Sequence, residues 1–315
     1  MRIIPTVAET GASALLGGFQ NHLAKRDLAP TTIRVYLHDL SVFQNWLDEV
    51  YDAAPPPILR TGTAELAAFR QYLLKEKSQR PATVNRRIQS LRLFFRWLQE
   101  TYDINDNPAE HLRYVRYARR SQPVALNRQE VIALLNAATN SSHGMAKRNS
   151  TLVQLMLQTG LRVGEVAVLC YADIHLGTRS GWVRVQTGKG LKFRQVPLNV
   201  TARRTLRDYL ETLGELSHDS PLFFSKRKTA LSVRAVQNLI TTLARHAEIS
   251  RVAVSAHTLR HTFAANYLKT NPGKLVELAD LMGHESLDTT AIYTRPSQAD
   301  LSADLERSAL NILAE

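Results

Sequence analysis

Two short segments near the end of the chain constrain its fold more than any other part of the sequence. The first places His257, Arg260 and His261 at positions i, i+3 and i+4, so a helix there brings all three side chains to one face. The second is an apolar run at helical spacing that stops at Gly283, a residue suited to the conformation in which many helices end. The two segments therefore predict two helices, with a cluster of His and Arg side chains beside the turn at Gly283.

The residues around that turn are suited to phosphate chemistry. Arginine binds phosphate oxygens through paired N–H donors and stays charged at any working pH. His284 follows Gly283 directly, and Tyr293 lies on the short helix predicted next. A tyrosine hydroxyl held near a phosphate can attack it. The sequence therefore predicts a phosphate-binding site that contains a tyrosine nucleophile.

The overall charge predicts a polyanionic partner. The chain of 315 residues carries 40 Lys and Arg against 28 Asp and Glu, which gives a formal net charge of +12 and a pI near 10.0. Basic residues outnumber acidic ones in both halves, as expected if both halves contact one duplex. The alternative is a cationic surface that only keeps the protein in solution.

Composition excludes several other classes. Charged residues make up 22% and hydrophobic residues 44%, a balance typical of globular proteins, and no apolar run is long enough for a membrane span. The N-terminus lacks the pattern of a signal peptide. Cys170 is the only cysteine, which excludes a disulfide framework and a cysteine-based zinc site. We expect a cytoplasmic, nucleoid-associated protein with no membrane partner.

Residues 14–112 show the pattern of an all-helical bundle of about four helices. The helix that begins at Pro81 carries an apolar stripe at alternate spacings of four and three, with arginines between the apolar positions. Such a helix can pack on a bundle and turn its arginines to phosphates. The basic, aromatic segment 113–124 predicts an interdomain linker along the DNA backbone. The DNA-contact candidates are Arg86, Arg87, Arg92, Arg96, Arg116, Arg119 and Arg120.

The second half combines helices with a small hairpin. Alternating apolar and polar residues predict strands at 182–187 and 192–197, joined by a turn at 188–190. Asn127 and Glu130 match a capping box at the start of a helix over 128–138. The half is therefore mostly helical, with one β-hairpin inserted.

Four motifs follow one another between residues 159 and 294: TGLRVGEV, TGKGLKFRQVPL, HTLRH and LMGHESLDTTAIYT. In sequence and in order they resemble the catalytic motifs of the tyrosine recombinases, also called the phage integrase family. Xer-type and transposon-resolution members are the most similar in character. Segments 31–47 and 80–112 resemble the core-binding domain of the same family more loosely, since much of that likeness is helix pattern.

The resemblance implies a site-specific DNA recombinase that needs neither cofactor nor metal. Tyr293 would attack a DNA phosphate and form a 3′-phosphotyrosyl link, which a 5′-hydroxyl later attacks to rejoin the strands. His257 is the candidate base for Tyr293, and Lys189 is the candidate acid for the departing 5′-oxygen. Glu165 would orient active-site groups, and His261 would be a supporting, hydrogen-bonded histidine. The implied catalytic set is Arg162, Lys189, His257, Arg260, His284 and Tyr293.

The predicted fold class is mainly α. A helical N-terminal core-binding bundle is followed by a mostly helical catalytic domain with a small antiparallel β-sheet. The predicted boundaries are a flexible tail at 1–12, the core-binding domain at 13–112, the basic linker at 113–124, and at 125–315 the catalytic domain with a C-terminal interaction helix.

The implied partners are double-stranded DNA with a specific recombination site and a homo-tetramer on paired sites. A partner recombinase or an accessory protein is left open. Two other functions are alternatives: a topoisomerase-IB-like strand passer, and a DNA-binding accessory or regulatory protein without catalysis. His257 and His261 have the spacing of a zinc pair, but the glutamate that follows the first histidine in zinc peptidases is absent, so no metal site is predicted.

Overall fold

The structure of the chain is a computed structural model. It describes residues 12–26, 28–51, 58, 61–102, 104, 106–117, 124–141, 144–186, 193–284, 286–294, 302 and 305–306. The chain divides into two compact units, residues 1–119 and 120–315. Within the described ranges, no helix combines the length and the apolar character that crossing a membrane requires.

The N-terminal unit is built from four helices, as the periodicity of the sequence predicts. Pro30 and Pro81 begin two of them, because proline suits the first turn, where a backbone N–H has no partner within the helix. The predicted apolar stripe of the last helix, which runs from Val84 to Leu98, is buried in the core of this unit. The helices are α1 (Ala12–Lys25), α2 (Pro30–Tyr51), α3 (Thr63–Lys75) and α4 (Pro81–Tyr102).

The C-terminal unit has its own core of helices packed around a small sheet. Its helices are α5 (Arg128–Thr139), α6 (Ala146–Thr159), α7 (Val163–Val168), α8 (Val200–Leu210), α9 (Val233–His246), α10 (Ala256–Thr270), α11 (Leu275–Met282) and α12 (Leu287–Ala291). Its strands are β1 (Ile174–Leu176), β2 (Gly181–Gln186) and β3 (Phe193–Pro197). The predicted fold class, mainly α with a small antiparallel sheet, is confirmed.

The sheet is antiparallel with the order β1-β2-β3. In its register Val183 faces Val196, and Val185 faces Arg194. The three valines are buried, so this face of β2 and β3 lies against the core and Arg194 occupies an inward position. The two predicted strands are present. The sequence analysis missed β1, which has only three residues and offers too short a run to show alternation.

Two glycines end helices that lead into the predicted site. Gly160 follows α6 with φ 65°, and Gly283 follows α11 with φ 64°, a left-handed conformation that glycine adopts without strain. Gly160 also needs to be small, because a Cβ there would lie 2.3 Å from Cδ1 of Phe263. Arg162 and His284 each follow closely after one of these turns.

Candidate active site

Helix α10 carries three of the predicted site residues. Ser255 caps its N-terminus, where the Ser255 hydroxyl accepts a hydrogen bond from the backbone N–H of Thr258 at 3.3 Å. Arg260 is only 3% exposed, His261 is half-buried and His257 is exposed. The two imidazole rings meet edge to face, with their centroids 4.3 Å apart. The shared face expected from the i, i+3, i+4 spacing is therefore present.

Arg260 connects the ends of two helices. Its Nη1 donates to the Gly160 carbonyl at 2.5 Å, and its Nη2 donates to the Met282 carbonyl at 2.8 Å. Carbonyl groups at helix C-termini carry partial negative charge, which favours a guanidinium there. Burial, and then the nearby charge of Arg162, lower the pKa of Arg260 to about 10, so it stays protonated at neutral pH.

Three consecutive carbonyl groups at the C-terminal end of α11 each accept a hydrogen bond from a different arginine. The donors come from β3, from α10 and from the residue that precedes α7. Together they fix the backbone immediately before His284. The pairs are Arg194 Nε to Leu281 O at 3.2 Å, Arg260 Nη2 to Met282 O at 2.8 Å, and Arg162 Nη2 to Gly283 O at 2.7 Å.

Glu165 joins two of these arginines. Its Oε1 accepts from Nη1 of Arg162 and from Nη1 of Arg194, both at 2.9 Å. Its Oε2 accepts from Nη2 of Arg194 at 2.9 Å and from the Arg162 backbone N–H at 2.7 Å. Burial acts to raise the pKa of Glu165, but the hydrogen bonds and charge of the arginines outweigh it and hold that pKa below its usual range. Glu165 is therefore ionised and in contact with both guanidiniums.

Arg194 is a site residue that the sequence analysis did not select. It lies within the motif TGKGLKFRQVPL, five residues after Lys189, and Lys189 was the residue of this motif assigned to the catalytic set. A signal was available, because the alternation of β3 puts Arg194 on the same inward face as Val196. A charged residue at an inward strand position needs a partner of opposite charge, and Glu165 is that partner.

His284 is bound on both ring nitrogens. Its Nε2 lies 2.8 Å from Nη2 of Arg260, and since a guanidinium can only donate, this Nε2 accepts. The proton is then on Nδ1, which donates to Oγ1 of Thr290 at 2.6 Å. Burial, and then the charge of Arg260, lower the pKa of His284 to about 4, in agreement with a neutral ring. In this tautomer His284 orients Arg260 and presents no Nε2 proton to a phosphate.

Tyr293 lies against His261. Its hydroxyl is 2.5 Å from Nδ1 of His261, and its ring packs beside a small buried cluster in which Leu278 and Met282 take part. Burial raises the pKa of Tyr293 to about 12, although Arg260 acts to lower it. Burial also lowers the pKa of His261 to about 4, so both groups are neutral at neutral pH. The phenol donates to Nδ1 in the tautomer that carries the His261 proton on Nε2. The histidine that touches the hydroxyl is thus His261, whereas the sequence analysis expected His257 as the base.

Several predicted residues lie outside the part of the chain that the structure describes. These are Lys189, Arg119 and Arg120, together with residues 1–11 and most of the predicted C-terminal helix. Among the described ranges, no three His, Cys, Asp or Glu side chains come together as ligands of a metal would.

The arginines of α4 differ in what they contact. Arg86 is hydrogen-bonded to the buried carboxylate of Asp39, which also accepts from the Ser90 hydroxyl at 2.7 Å. Arg87 is itself buried, with its Nε 3.9 Å from the same carboxylate. These two arginines connect α4 to α2 within the N-terminal unit.

Arg92 is also held inside its own unit, where it donates to the carbonyl groups of Ala109 and Leu112 at 3.1 and 2.8 Å and lies over the ring of Tyr114. Arg96 and Arg116 are exposed. Of the described DNA-contact candidates, these two therefore have side chains that face solvent, and the other three have partners within the protein.

The low pKa values of His261 and His284 predict a stability that depends on pH. Both groups titrate at about 4 in the folded protein and at the ordinary 6.5 when unfolded, so the unfolded chain binds more protons between these values. As far as these two groups determine it, the stability should be constant above pH 6.5 and fall as the pH falls from 6.5 toward 4. Two shifts of this size would lower the thermal unfolding midpoint by on the order of ten degrees near pH 4. Calorimetric scans across this window would measure it. The double variant His261→Gln with His284→Gln should reduce the dependence of the unfolding midpoint on pH. The control His175→Gln changes an exposed histidine and should leave that dependence unchanged.

Comparison with known proteins agrees with this geometry. A model of the phage integrase family matches residues 125–300, and a model described as phage integrase, N-terminal SAM-like domain, matches residues 16–101. The tyrosine recombinase XerC of Alcanivorax borkumensis is 33% identical over 284 residues, covering 88% of this chain and 87% of the relative. The family match and this relative define an enzyme that breaks and rejoins DNA.

The chain belongs to the phage integrase family, the tyrosine recombinases, and acts in site-specific recombination. Solved structures support the fold. The XerH recombinase bound to its difH substrate superposes with a TM-score of 0.70 at 21% identity, covering 95% of this chain and 85% of that one. A lambda integrase tetramer bound to a Holliday junction gives 0.69 at 22% identity, covering 88% of this chain and 78% of that one.

Proposed function

We propose that the protein cleaves one DNA strand through Tyr293 and holds it as a 3′-phosphotyrosyl intermediate. The Tyr293 oxygen forms a bond to phosphorus while the bond to the 5′-oxygen breaks. The phenol proton passes to a base, and the departing 5′-oxygen gains a proton from an acid. The link keeps the energy of the phosphodiester, so a 5′-hydroxyl from another strand can reverse the step and rejoin DNA without ATP.

The observation that carries this proposal is the position of Tyr293 beside both His261 and Arg260. Nδ1 of His261 lies 2.5 Å from the hydroxyl, which is the geometry that a general base requires. We therefore assign the base role to His261, with His257 against its ring as a neighbour. The phosphate that Tyr293 attacks brings negative charge, which raises the pKa of His261 and makes it a stronger base when DNA is bound.

Arg162 and Arg260 are the proposed ligands of the phosphate. A guanidinium has five N–H donors, and neither arginine uses all of its donors on the carbonyl, carboxylate and imidazole partners described above. Both can therefore bind non-bridging oxygens without leaving their places. Donors fixed before the reaction stabilise the charge that develops on those oxygens. Lys189, in the segment of sequence between β2 and β3, is the proposed acid for the 5′-oxygen.

The test is a covalent adduct. A duplex from the DNA flanking the gene, nicked near the cleavage position so that religation fails, should yield a protein–DNA complex that survives denaturation. Mass spectrometry of the digested adduct should find the nucleotide on Tyr293, and labelling each strand end should place the link at the 3′-phosphate. Complexes that all dissociate on denaturation would favour a DNA-binding accessory protein instead.

The same proposal assigns partners and domains. Residues 13–112 would form the core-binding domain, 113–124 the linker and 125–315 the catalytic domain, and double-stranded DNA would be the partner. Strand exchange would take place in a homo-tetramer on paired sites, as the assembly of the related lambda integrase on a Holliday junction suggests. The C-terminal interaction helix would contribute by packing on a neighbouring protomer.

Binding to DNA should weaken steeply with salt. The net charge of +12 lets the protein neutralise several phosphates, and each one releases counterions from the duplex. Six phosphate contacts would reduce the association constant by about 10³ between 50 and 200 mM salt. Fluorescence anisotropy with a labelled duplex would measure the slope. Arg116→Gln should lower that slope. Arg92→Gln is the control and should leave the slope unchanged, because Arg92 donates to carbonyl groups within its own unit. A flat dependence would show that the charge serves solubility alone.

A further inference from the structure

Arg194 makes three hydrogen bonds at the active site from an inward position on β3. It donates twice to Glu165, through Nη1 and Nη2 at 2.9 Å each, and once through Nε to the Leu281 carbonyl at 3.2 Å. Its side chain is only 12% exposed. A bidentate pair of this kind fixes the carboxylate in plane and in rotation, which a single lysine contact cannot do.

The fixed carboxylate in turn holds Arg162. Arg162 is 45% exposed, and an exposed arginine bonded to a glutamate three residues away is a weak and mobile pair by itself. Here both carboxylate oxygens of Glu165 also accept hydrogen bonds from Arg194, which hold the carboxylate in one orientation. The guanidinium of Arg162 therefore binds a carboxylate that cannot rotate freely. The backbone N–H of Arg162 donates to that carboxylate as well, at 2.7 Å.

A second, independent observation places Arg194 against the loop that carries His284. A Cβ built on Gly283 would lie 2.7 Å from Nη1 and 2.8 Å from Cζ of Arg194. The guanidinium therefore lies directly on the backbone of Gly283, in space that only a glycine leaves open. Arg194 thus contacts the two segments from which Arg162 and His284 project.

We propose that Arg194 is a positioning residue of the active site, which fixes Glu165 and through it the phosphate-binding guanidinium of Arg162. This rests on the proposed function, since it takes Arg162 as a ligand of the scissile phosphate. We assign Arg194 no contact with the phosphate, because its Nε, Nη1 and Nη2 all donate within the protein, to the Leu281 carbonyl and to Glu165. It acts on the reaction through Arg162.

The experiment compares three substrates in single-turnover cleavage of a nicked site. One has the natural phosphodiester, one has a neutral methylphosphonate at the scissile position, and one has sulfur in place of the bridging 5′-oxygen. Arg194→Gln should cleave the natural substrate about 10- to 100-fold more slowly than wild type, as expected when a binding group is misplaced by about 1 Å. On the methylphosphonate, which lacks the charge that Arg162 neutralises, most of that difference should disappear. Arg162→Ala should show the same pattern.

Controls separate this role from a general defect. Arg184→Gln removes an arginine–carboxylate pair, with Asp173, from the opposite face of the same sheet and should leave all three rates unchanged. Arg194→Lys keeps the positive charge but loses the paired N–H donors of the guanidinium. It should cleave the natural substrate slowly and the methylphosphonate nearly as fast as wild type, and thermal unfolding would check that it is folded.

Two results would overturn the proposal. Equal slowing of Arg194→Gln on all three substrates would show a general structural role. Recovery on the bridging-sulfur substrate alone would show that Arg194 serves the group that protonates the 5′-oxygen and not Arg162. A wild-type protein that forms no adduct with any substrate would contradict the proposed function instead, so the two failures are distinguishable.

Discussion

Tyr293→Phe should abolish the covalent protein–DNA adduct while leaving DNA binding within about tenfold of wild type. The change removes one hydroxyl, which is the atom proposed to bond to phosphorus, and keeps the aromatic ring beside Leu278 and Met282. The hydrogen bond to His261 is lost, but no charge is exposed or buried, because both groups are neutral. Adduct formation on a nicked duplex and anisotropy on an intact one would measure the two quantities separately.

Tyr267→Phe is the matched control. Tyr267 packs beside the same cluster and loses the same hydroxyl in that variant, so any effect of the chemical change on folding should appear there too. We expect the control to form the adduct at the wild-type yield. An undiminished adduct in Tyr293→Phe would remove Tyr293 as the nucleophile, and the other tyrosines would then have to be tested one at a time.

Lys189→Ala should slow cleavage of the natural substrate by about 10²–10⁴, the usual effect of losing a positioned general acid. Its proposed task is to protonate the departing 5′-oxygen. With sulfur in that bridging position the leaving group is a thiolate, whose conjugate acid has a pKa near 8.5, so little proton donation is needed. The variant should therefore cleave the sulfur-substituted strand at nearly the wild-type rate in the same single-turnover assay.

His261→Ala provides the contrast. It removes the group proposed to accept the proton of Tyr293, and a better leaving group does not replace that step. We expect this variant to stay slow on both substrates. If Lys189→Ala is impaired equally on both, Lys189 binds the phosphate and the acid lies elsewhere, with His257 the first residue to test because it is exposed and adjacent to His261.

The features predicted correctly from the sequence are those with a local cause. The stripe on α4, the capping box at Asn127 and the helix end at Gly283 each follow from spacing or from the conformational freedom of one residue. The α10 cluster is equally local, since three residues within one and a half turns share a face in any helix. Such features are determined by residues close together in the sequence and need no tertiary contacts.

What the sequence did not predict depends on contacts between distant residues. Arg260 donates to Gly160 across a separation of 100 residues, and Arg86 binds Asp39 across 47. Spacing alone could not show that Arg86 is used within its own unit, or that Arg194 is the second partner of Glu165. The contact of the Tyr293 hydroxyl with His261 and not with His257 has the same origin: both histidines lie on one helix face, and only the position of Tyr293 distinguishes them.

The three arginine bonds at the end of α11 separate a fixed part of the site from a movable one. Backbone up to Gly283 is anchored from three directions. In contrast, α12 and Tyr293, which lies two residues beyond the end of α12, meet the site through side-chain contacts: the hydrogen bonds of His284 to Thr290 and of His261 to Tyr293, and the packing of the Tyr293 ring. If Tyr293 carries a DNA strand, as proposed, loss of these side-chain contacts would let α12 move with that strand. The arginines would stay in place meanwhile, so the site that opened one strand would still be assembled when the next strand arrives to be sealed.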